Sequence, residues 1–233
     1  MALTILKPQW TRPVAGVLFD LDGLVLDTEK LYSRFWREAC QEAGFSMSYE
    51  QSLNMRALNH QAGAAMLHSF FGEGADYDTI RQIRIRRMDA YVEREGVDIK
   101  PGIRTLLEGL QQRGIPRAIT SASPPDRIRR YLGSVGLLPL FDGICSGHEL
   151  PHGKPEPDIY LHGAATLGLE PGACLALEDA YAGLLSASRA GCLPVLIPDL
   201  DPPNDQTRPL LYAIADSGLD VLELIDQSNS WER

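Results

Sequence analysis

The sequence predicts an α/β fold: a doubly wound parallel sheet with a small all-helical unit inserted after the first strand. Three observations carry that expectation. Short apolar runs recur along the 233-residue chain, and each ends in a polar or acidic residue. Most intervals between the runs carry helical patterns, and strand–helix alternation marks βαβ units and a parallel sheet. One interval, from Thr28 to about Asp98, breaks the alternation with several helical stretches and no convincing strand.

The elements follow in order. Val17-Leu18-Phe19 is a buried strand that runs into Asp20-Leu21-Asp22-Gly23, an acidic turn. Helices are expected over Thr28–Ala43, His60–Phe71 and Tyr77–Glu95, with Gly72-Glu73-Gly74 as a linking turn. Gly96 suits a helix stop and Pro101 the start of the next helix. These signals divide the chain into a core, residues 1–26 and 99–233, and a helical insert, residues 27–98. The connections near Leu26–Glu29 and Gly96–Pro101 read as its hinge. Ile115–Thr120 then ends in Ser121-Ala122-Ser123, and Leu140–Cys145 ends near Ser146-Gly147. Cys174–Leu177 ends in Glu178-Asp179, and Leu193–Ile197 ends at Pro198-Asp199. Pro155–Leu167 and Ala180–Ala190 read as intervening helices. The tail offers an apolar run at Leu211–Ala215 and a helix from about Ser217, whose hydroxyl suits a cap.

Composition narrows the function classes. A net charge of −9 argues against nonspecific nucleic-acid binding, which needs a basic surface. No apolar run approaches the length of a membrane span, and Met1–Trp10 lacks the apolar centre of a signal peptide. Cys40, Cys145, Cys174 and Cys192 are far apart, so buried free thiols are expected rather than a zinc site or disulfides. The expected protein is cytoplasmic, a monomer or at most a weak dimer, with no nucleic-acid or membrane partner.

The strand ends carry the chemistry. In an open α/β sheet, ligands bind beyond the carboxyl ends of the strands. Residues i and i+2 of an extended chain point the same way, so Asp20 and Asp22 can address one group; the alternative from this segment alone is a solvated, inert Asp-x-Asp-Gly turn. Two like charges that close need a cation or a shared proton, and Mg²⁺ is the simplest relief. Ser121 adds a hydroxyl, with N–H groups at the start of a following helix as an anion cradle. Lys154, in Gly153-Lys154-Pro155, adds a cation beside a rigid proline, and Glu178 and Asp179 add carboxylates. Acids, a metal, a lysine and hydroxyl or amide donors are what phosphoryl transfer requires.

At these residues the chain resembles the haloacid dehalogenase-like superfamily of phosphotransferases. The motifs are Asp20-Leu21-Asp22-Gly23, Ser121, Gly153-Lys154-Pro155 and Glu178-Asp179, in the superfamily's order and across essentially the whole chain. The helical insert is similar to the cap of the β-phosphoglucomutase-like branch. Leu26–Tyr32 and His152–Ile159 look like the pseudouridine-5′-phosphatase subgroup and related sugar-phosphate phosphatases. The resemblance implies a Rossmann-like core and Mg²⁺-dependent hydrolysis of a small phosphorylated metabolite, a sugar phosphate or nucleotide-like phosphomonoester. It implies Asp20 as nucleophile, Asp22 as general acid–base, and Ser121, with Ala122, and Lys154 as phosphate ligands. The implied metal ligands are Asp20, the Asp22 backbone carbonyl, Glu178 and Asp179.

Competing readings are weaker. The mutase branch carries a histidine where this chain has Tyr32, which disfavours a sugar phosphomutase. Dehalogenating relatives lack the second aspartate, here Asp22. A phosphate-accepting receiver domain has no helical insert and places its aspartate on a middle strand. Arg56, Asn59 and His60 fall near the cap loop that faces the active site in relatives, so Arg56 and His60 are candidate substrate ligands. The subgroup usually has a small residue near Arg56, which implies a different pocket here. Arg81, Arg84, Arg86 and Arg87 read as a solvated face paired with Asp89, Glu93 and Glu95. His68, His148 and His162 lack ligand spacing and read as structural, while Tyr32, Phe35 and Trp36 read as the packed face of the first helix.

Overall fold

The computed structural model describes residues 3–7, 13–56, 58 and 60–229. Asn59 and much of the Met1–Trp10 segment lie outside them. The chain forms two compact units: Met1–Leu26 with Ile99–Arg233, and Asp27–Asp98. Among the described residues no helix is long and apolar enough to cross a membrane.

The first unit is built on a seven-stranded sheet. In chain order its strands are β1 (Thr4–Ile5), β2 (Gly16–Phe19), β3 (Arg117–Ser121), β4 (Gly143–Ser146), β5 (Cys174–Glu178), β6 (Leu193–Leu196) and β7 (Ala213–Ile214). Across the sheet the order is β1-β7-β6-β5-β2-β3-β4, parallel except for β1 on β7. Helices pack on both faces, the doubly wound α/β arrangement. The edge strand β1 has only two residues, too short for its alternation to be legible in the sequence. The apolar runs come from β2, β3, β5 and β6, which are buried along their whole length, as two-face coverage requires. The switch point lies at β2: the chain leaves it for β3 and β4 on one side and returns to β5, β6 and β7 on the other.

Leu18, Ala118, Ala176 and Cys145 form one face of the sheet, with Ile159, Tyr160 and Ala164 packed on them. Those three belong to helix α7, for which the helices are numbered in chain order. In the first unit they are α5 (Ile103–Gln112), α6 (Pro125–Ser134), α7 (Asp158–Thr166), α8 (Tyr181–Arg189) and α9 (Gly218–Asn229). Gly163 lets α7 approach closely, because a Cβ there would lie 2.7 Å from the Thr120 methyl and 3.1 Å from Leu18 Cδ2. The expected helix at Pro155–Leu167 begins later, at Asp158. The physical reason is the proline pair: the residue before each proline is steered away from the helical region.

The second unit holds α1 (Glu29–Glu42), α2 (Tyr49–Leu53), α3 (His60–Phe71) and α4 (Tyr77–Glu95). Helix α2 was not anticipated, although Ser48 and Gln51 form a complete capping box in front of it. Asp76 caps α4 by accepting from the Asp78 and Thr79 N–H groups, and Gly96, at φ 82°, ends it. Trp36, Cys40, Met55, Leu67, Tyr77 and Ile80 belong to the apolar cluster that joins these helices. Burying a side chain of this size contributes about 1.5–3 kcal/mol, so this cluster dominates the unit's cohesion.

The arginine run corrects one expectation. Arg84 is buried, with its guanidinium 4.9 Å from the Tyr32 ring centre and 5.3 Å from that of Trp36. Ile80, Ile83, Arg84, Met88 and Val92 share the inward stripe of α4, and the 3.6-residue period sets Arg84 among them. Arg86 and Arg87 pair with Glu42 of α1, not with Asp89, Glu93 or Glu95 of their own helix. Phe35 and Trp36 are packed inside as expected. His68, His148 and His162 are exposed. All four cysteines are free and buried, and burial pushes the Cys40 and Cys174 thiols up to about 11 and Cys192 up to about 12.

Candidate active site

Strand register assembles the site. β2 lies between β5 and β3, with Phe19 opposite both Leu177 and Ile119. One step further, Asp20 leaves β2 with its N–H donated to the Leu177 carbonyl at 3.1 Å, beside Glu178. Side chains alternate along a strand, so Asp20 shares a face with Leu18, and Glu178 with Ala176. That face is the one α7 covers. The loop leading into α7 delivers Lys154, whose peptide bond to Pro155 is cis.

Lys154 is the centre of a buried charge cluster. Its Nζ donates to Asp20 Oδ1 and to Glu178 Oε1, each at 2.5 Å. Glu178 is 1% exposed, and Tyr160, fully buried on α7, donates its hydroxyl to the same Glu178 Oε1. The Lys154 ammonium also stands 5.3 Å from the centre of the Tyr160 ring. Burial pushes the Asp20 carboxyl up to about 8; Lys154 opposes this, while Glu178 and Asp22 add to it. Burial acts against the charged form of Lys154, but Asp20 and Glu178 outweigh it and hold the ammonium well above its ordinary range. Burial and the Glu178 carboxylate likewise keep the Tyr160 phenol protonated. One cation thus faces two carboxyl groups, and Asp20 is the one that burial, with Glu178 and Asp22 beside it, pushes upward.

A second polar chain runs from β3 to the acidic turn. Ser123 donates its hydroxyl to Asp22 Oδ2 at 3.1 Å and its N–H to the Ser121 hydroxyl at 3.1 Å. The Ser123 carbonyl accepts from the Ser146 hydroxyl on β4 at 2.7 Å. Ser121 is buried, and Ala122 is exposed between the two serines. The expected helix start beside Ser121 is corrected: α6 begins at Pro125, with Pro124 as its N-cap. Two successive prolines supply no N–H, so the donors nearest Ser121 belong to the loop, not to a helix end. Gly23, at φ 85°, closes the turn after Asp22 with its N–H on the Leu26 carbonyl.

Asp20, Glu178 and Asp179 place carboxylate oxygens within 4.8 Å of one another. Three carboxylates are a hard-oxygen donor set, and the upward pressure on Asp20 is what a divalent cation relieves, so these residues fit Mg²⁺. Asp179 also borders a cavity of about 180 Å³ with Tyr181, Leu196, Asp201 and Thr207. Arg56 and His60 belong to the helical unit instead. There Arg56 Nε donates to the Leu53 carbonyl at 3.0 Å, and His60 Nε2 lies 2.7 Å from Asp78 Oδ1.

Three contributors escaped the sequence reading. Ser123 was visible only as part of a small-residue run. Tyr160 had a legible signal: with Ile159, Gly163 and Ala164 it shares the inward face of α7, and a buried phenol needs an acceptor. Gly183 had none, since only the fold shows that a Cβ there would lie 1.9 Å from Glu178 Oε1.

A model of the haloacid dehalogenase-like hydrolase family matches residues 14–191. Hexitol phosphatase A of Escherichia coli is 37% identical over 180 residues, 76% of this chain and 80% of that relative. A Drosophila melanogaster protein named "Probable pseudouridine-5′-phosphatase" is 28% identical over 81% of this chain and 83% of its own length. The crystal structure of a hydrolase of the same family from Deinococcus radiodurans, with bound phosphate and sodium, superimposes with a TM-score of 0.76. It is 25% identical and covers 93% of this chain and 97% of its own. The chain belongs to the haloacid dehalogenase-like hydrolase family.

Proposed function

We propose that this hydrolase is a Mg²⁺-dependent phosphatase that cleaves a small phosphomonoester, of the sugar or sugar-alcohol phosphate class, through an aspartyl-phosphate. The observation that carries the proposal is the Lys154 bridge between Asp20 and Glu178, set beside Asp179 and Ser121 at the strand ends. The hexitol phosphatase relative supports the substrate class. A similarity of 22% identity to a β-phosphoglucomutase structure supports the fold alone.

In this reading Lys154 occupies Asp20 Oδ1, which leaves Oδ2 as the nucleophile. Oδ2 bonds to phosphorus as the ester P–O bond breaks, and the leaving oxygen takes a proton from Asp22. Asp22, now a carboxylate, removes a proton from water as that water's oxygen attacks phosphorus. The aspartyl P–O bond then breaks, releasing inorganic phosphate and restoring both groups. Ser123, donating to Asp22 Oδ2, holds that carboxyl in place without supplying a proton path. Ser121 and the Ala122 N–H would hold non-bridging phosphate oxygens, and Lys154 would balance their charge. Mg²⁺ would be held by Asp20, Glu178, Asp179 and the Asp22 carbonyl, and when bound it supplies positive charge to the phosphoryl oxygens and to Asp20. The core unit is the phosphotransferase domain, and Arg56 and His60 of the helical unit are the substrate-recognition candidates.

The test is phosphate release from a panel of sugar, sugar-alcohol and nucleoside monophosphates, with and without Mg²⁺. Hydrolysis that needs Mg²⁺ and favours the sugar classes is expected. Phosphorus NMR of glucose 1-phosphate with a bisphosphate primer gives the decisive contrary result: isomerised sugar phosphate outpacing phosphate release overturns the phosphatase reading.

A further inference from the structure

Glu178 is a demanding residue to place. It is 1% exposed and sits at the end of β5, where its long side chain has rotamers to spare. Three groups confine it. Lys154 donates to Oε1, the Tyr160 hydroxyl donates to the same oxygen, and the Gly183 backbone of α8 leaves no room for a Cβ beside the carboxylate. Lys154 alone cannot set the orientation. An ammonium on a flexible stem is a point charge that follows the carboxylate wherever it turns, and this one is shared with Asp20. The phenol is different: its ring is locked in the core with Ile159 and Ala164, so its O–H points from a fixed origin.

We propose that Tyr160 is a positioning residue for the metal site: its hydroxyl turns the Glu178 carboxylate so that Oε1 is spent on Tyr160 and Lys154 while Oε2 stays available to the divalent ion. The ring performs a second task. It lies under the Lys154 ammonium at 5.3 Å and limits how far the cation can follow either carboxylate. Tyr160 touches neither Asp20 nor the reacting phosphate in this scheme and acts only through Glu178 and Lys154. The inference rests on the proposed function insofar as Glu178 is read as a metal ligand.

The experiment is Tyr160→Phe, which keeps the ring and removes only the donor. Mg²⁺ affinity is measured by calorimetry without substrate, alongside kcat at saturating Mg²⁺. Partners that orient metal ligands typically account for about 10–100-fold in affinity. We expect the Mg²⁺ dissociation constant to rise about tenfold, with kcat largely recovered when Mg²⁺ saturates. Tyr131→Phe is the control, because Tyr131 is also a fully buried core phenol, one that lies 3.3 Å from Arg127 Nη2. Unchanged Mg²⁺ affinity in Tyr160→Phe overturns the inference, as does an equal loss in Tyr131→Phe. A wild-type chain that binds Mg²⁺ and loses affinity with Tyr160→Phe, yet hydrolyses no phosphomonoester, sustains the tyrosine's role and sinks the proposed function instead.

Discussion

The two units use charge in opposite ways. At the strand ends of the first, Lys154 joins two acids that lie 134 and 24 residues away in sequence, and all three are nearly out of water. In the helical unit the ion pairs are mostly exposed, whether near or distant in sequence. Lys30 meets Asp27 at i,i+3 and Asp98 beside it, and Arg34 meets Glu38 at i,i+4. Exposed pairs are screened and contribute about 0–1 kcal/mol, so the helical unit would fold without them. Buried ions are costly unless each is matched, and in the first unit one ammonium serves two carboxyl groups. Stability does not explain such an arrangement, whereas the proposed metal and phosphate site would.

The largest expected effect tests that contrast at Asp20. Asp20→Asn should abolish turnover while leaving the metal-free fold as stable as wild type or more so. The sign follows from the carboxyl's raised value: protonation is favoured in the folded state, so Asp20 costs stability increasingly as pH rises from 3.8 to about 8. Turnover within about tenfold of wild type would remove Asp20 as nucleophile, taking tenfold as 1.4 kcal/mol of barrier.

Next in size is a matched pair of lysine substitutions. Lys154→Met strands Asp20 and Glu178, and loss of one partner of a buried pair costs about 3–5 kcal/mol. Lys30→Met removes a lysine that is 53% exposed on its side chain, and should cost about 0.2–1 kcal/mol. Urea denaturation of both metal-free variants gives the comparison directly. Similar losses would show that burial does not separate the two regions.

The smallest effect asks whether location or exposure matters. Arg113 on α5 holds Asp226 on α9 with two hydrogen bonds of 2.8 and 2.7 Å, but both side chains are partly exposed. Those bonds hold the Asp226 carboxyl below its ordinary 3.8. Its contribution is therefore present above that value and fades as pH falls through the lowered one. Comparing wild type with Asp226→Asn from pH 6 downward should show a gap of about 0.2–1 kcal/mol that narrows as the pH falls below the ordinary carboxylate range. A larger gap would mean that surface pairs in the first unit are stronger than exposure predicts.

Much of the fold was legible because its signals are local. Apolar runs ending in Asp20, Ser121, Glu178 and Pro198 reveal buried strands, and their alternation with helical patterns implies a parallel sheet. Helices α3 and α4 fall where their periodicity sets them, and Ser217 accepts from the Leu219 N–H at the start of α9. Residue types likewise marked the acids and the serine at the strand ends and Lys154 in the loop before α7. Local signals fail where an element is short or a role depends on a distant neighbour. Two-residue β1 has too few positions to show a period, and although period places Arg84 on the inward stripe of α4, only α1 supplies the Tyr32 and Trp36 rings beside it.

By itself the chain determined most of the longer strands and helices, though not β1 or α2, and which of its residues carry reactive oxygens and nitrogens, because both depend on residue type and near spacing. Tertiary structure decided the strand order β5-β2-β3, the face on which Asp20 meets Glu178, and the three-way convergence of Lys154, Tyr160 and Gly183 on that glutamate. The reason is physical. Hydrogen-bond direction, burial and the space for a single Cβ are set by atoms tens of residues away, and no local pattern records them.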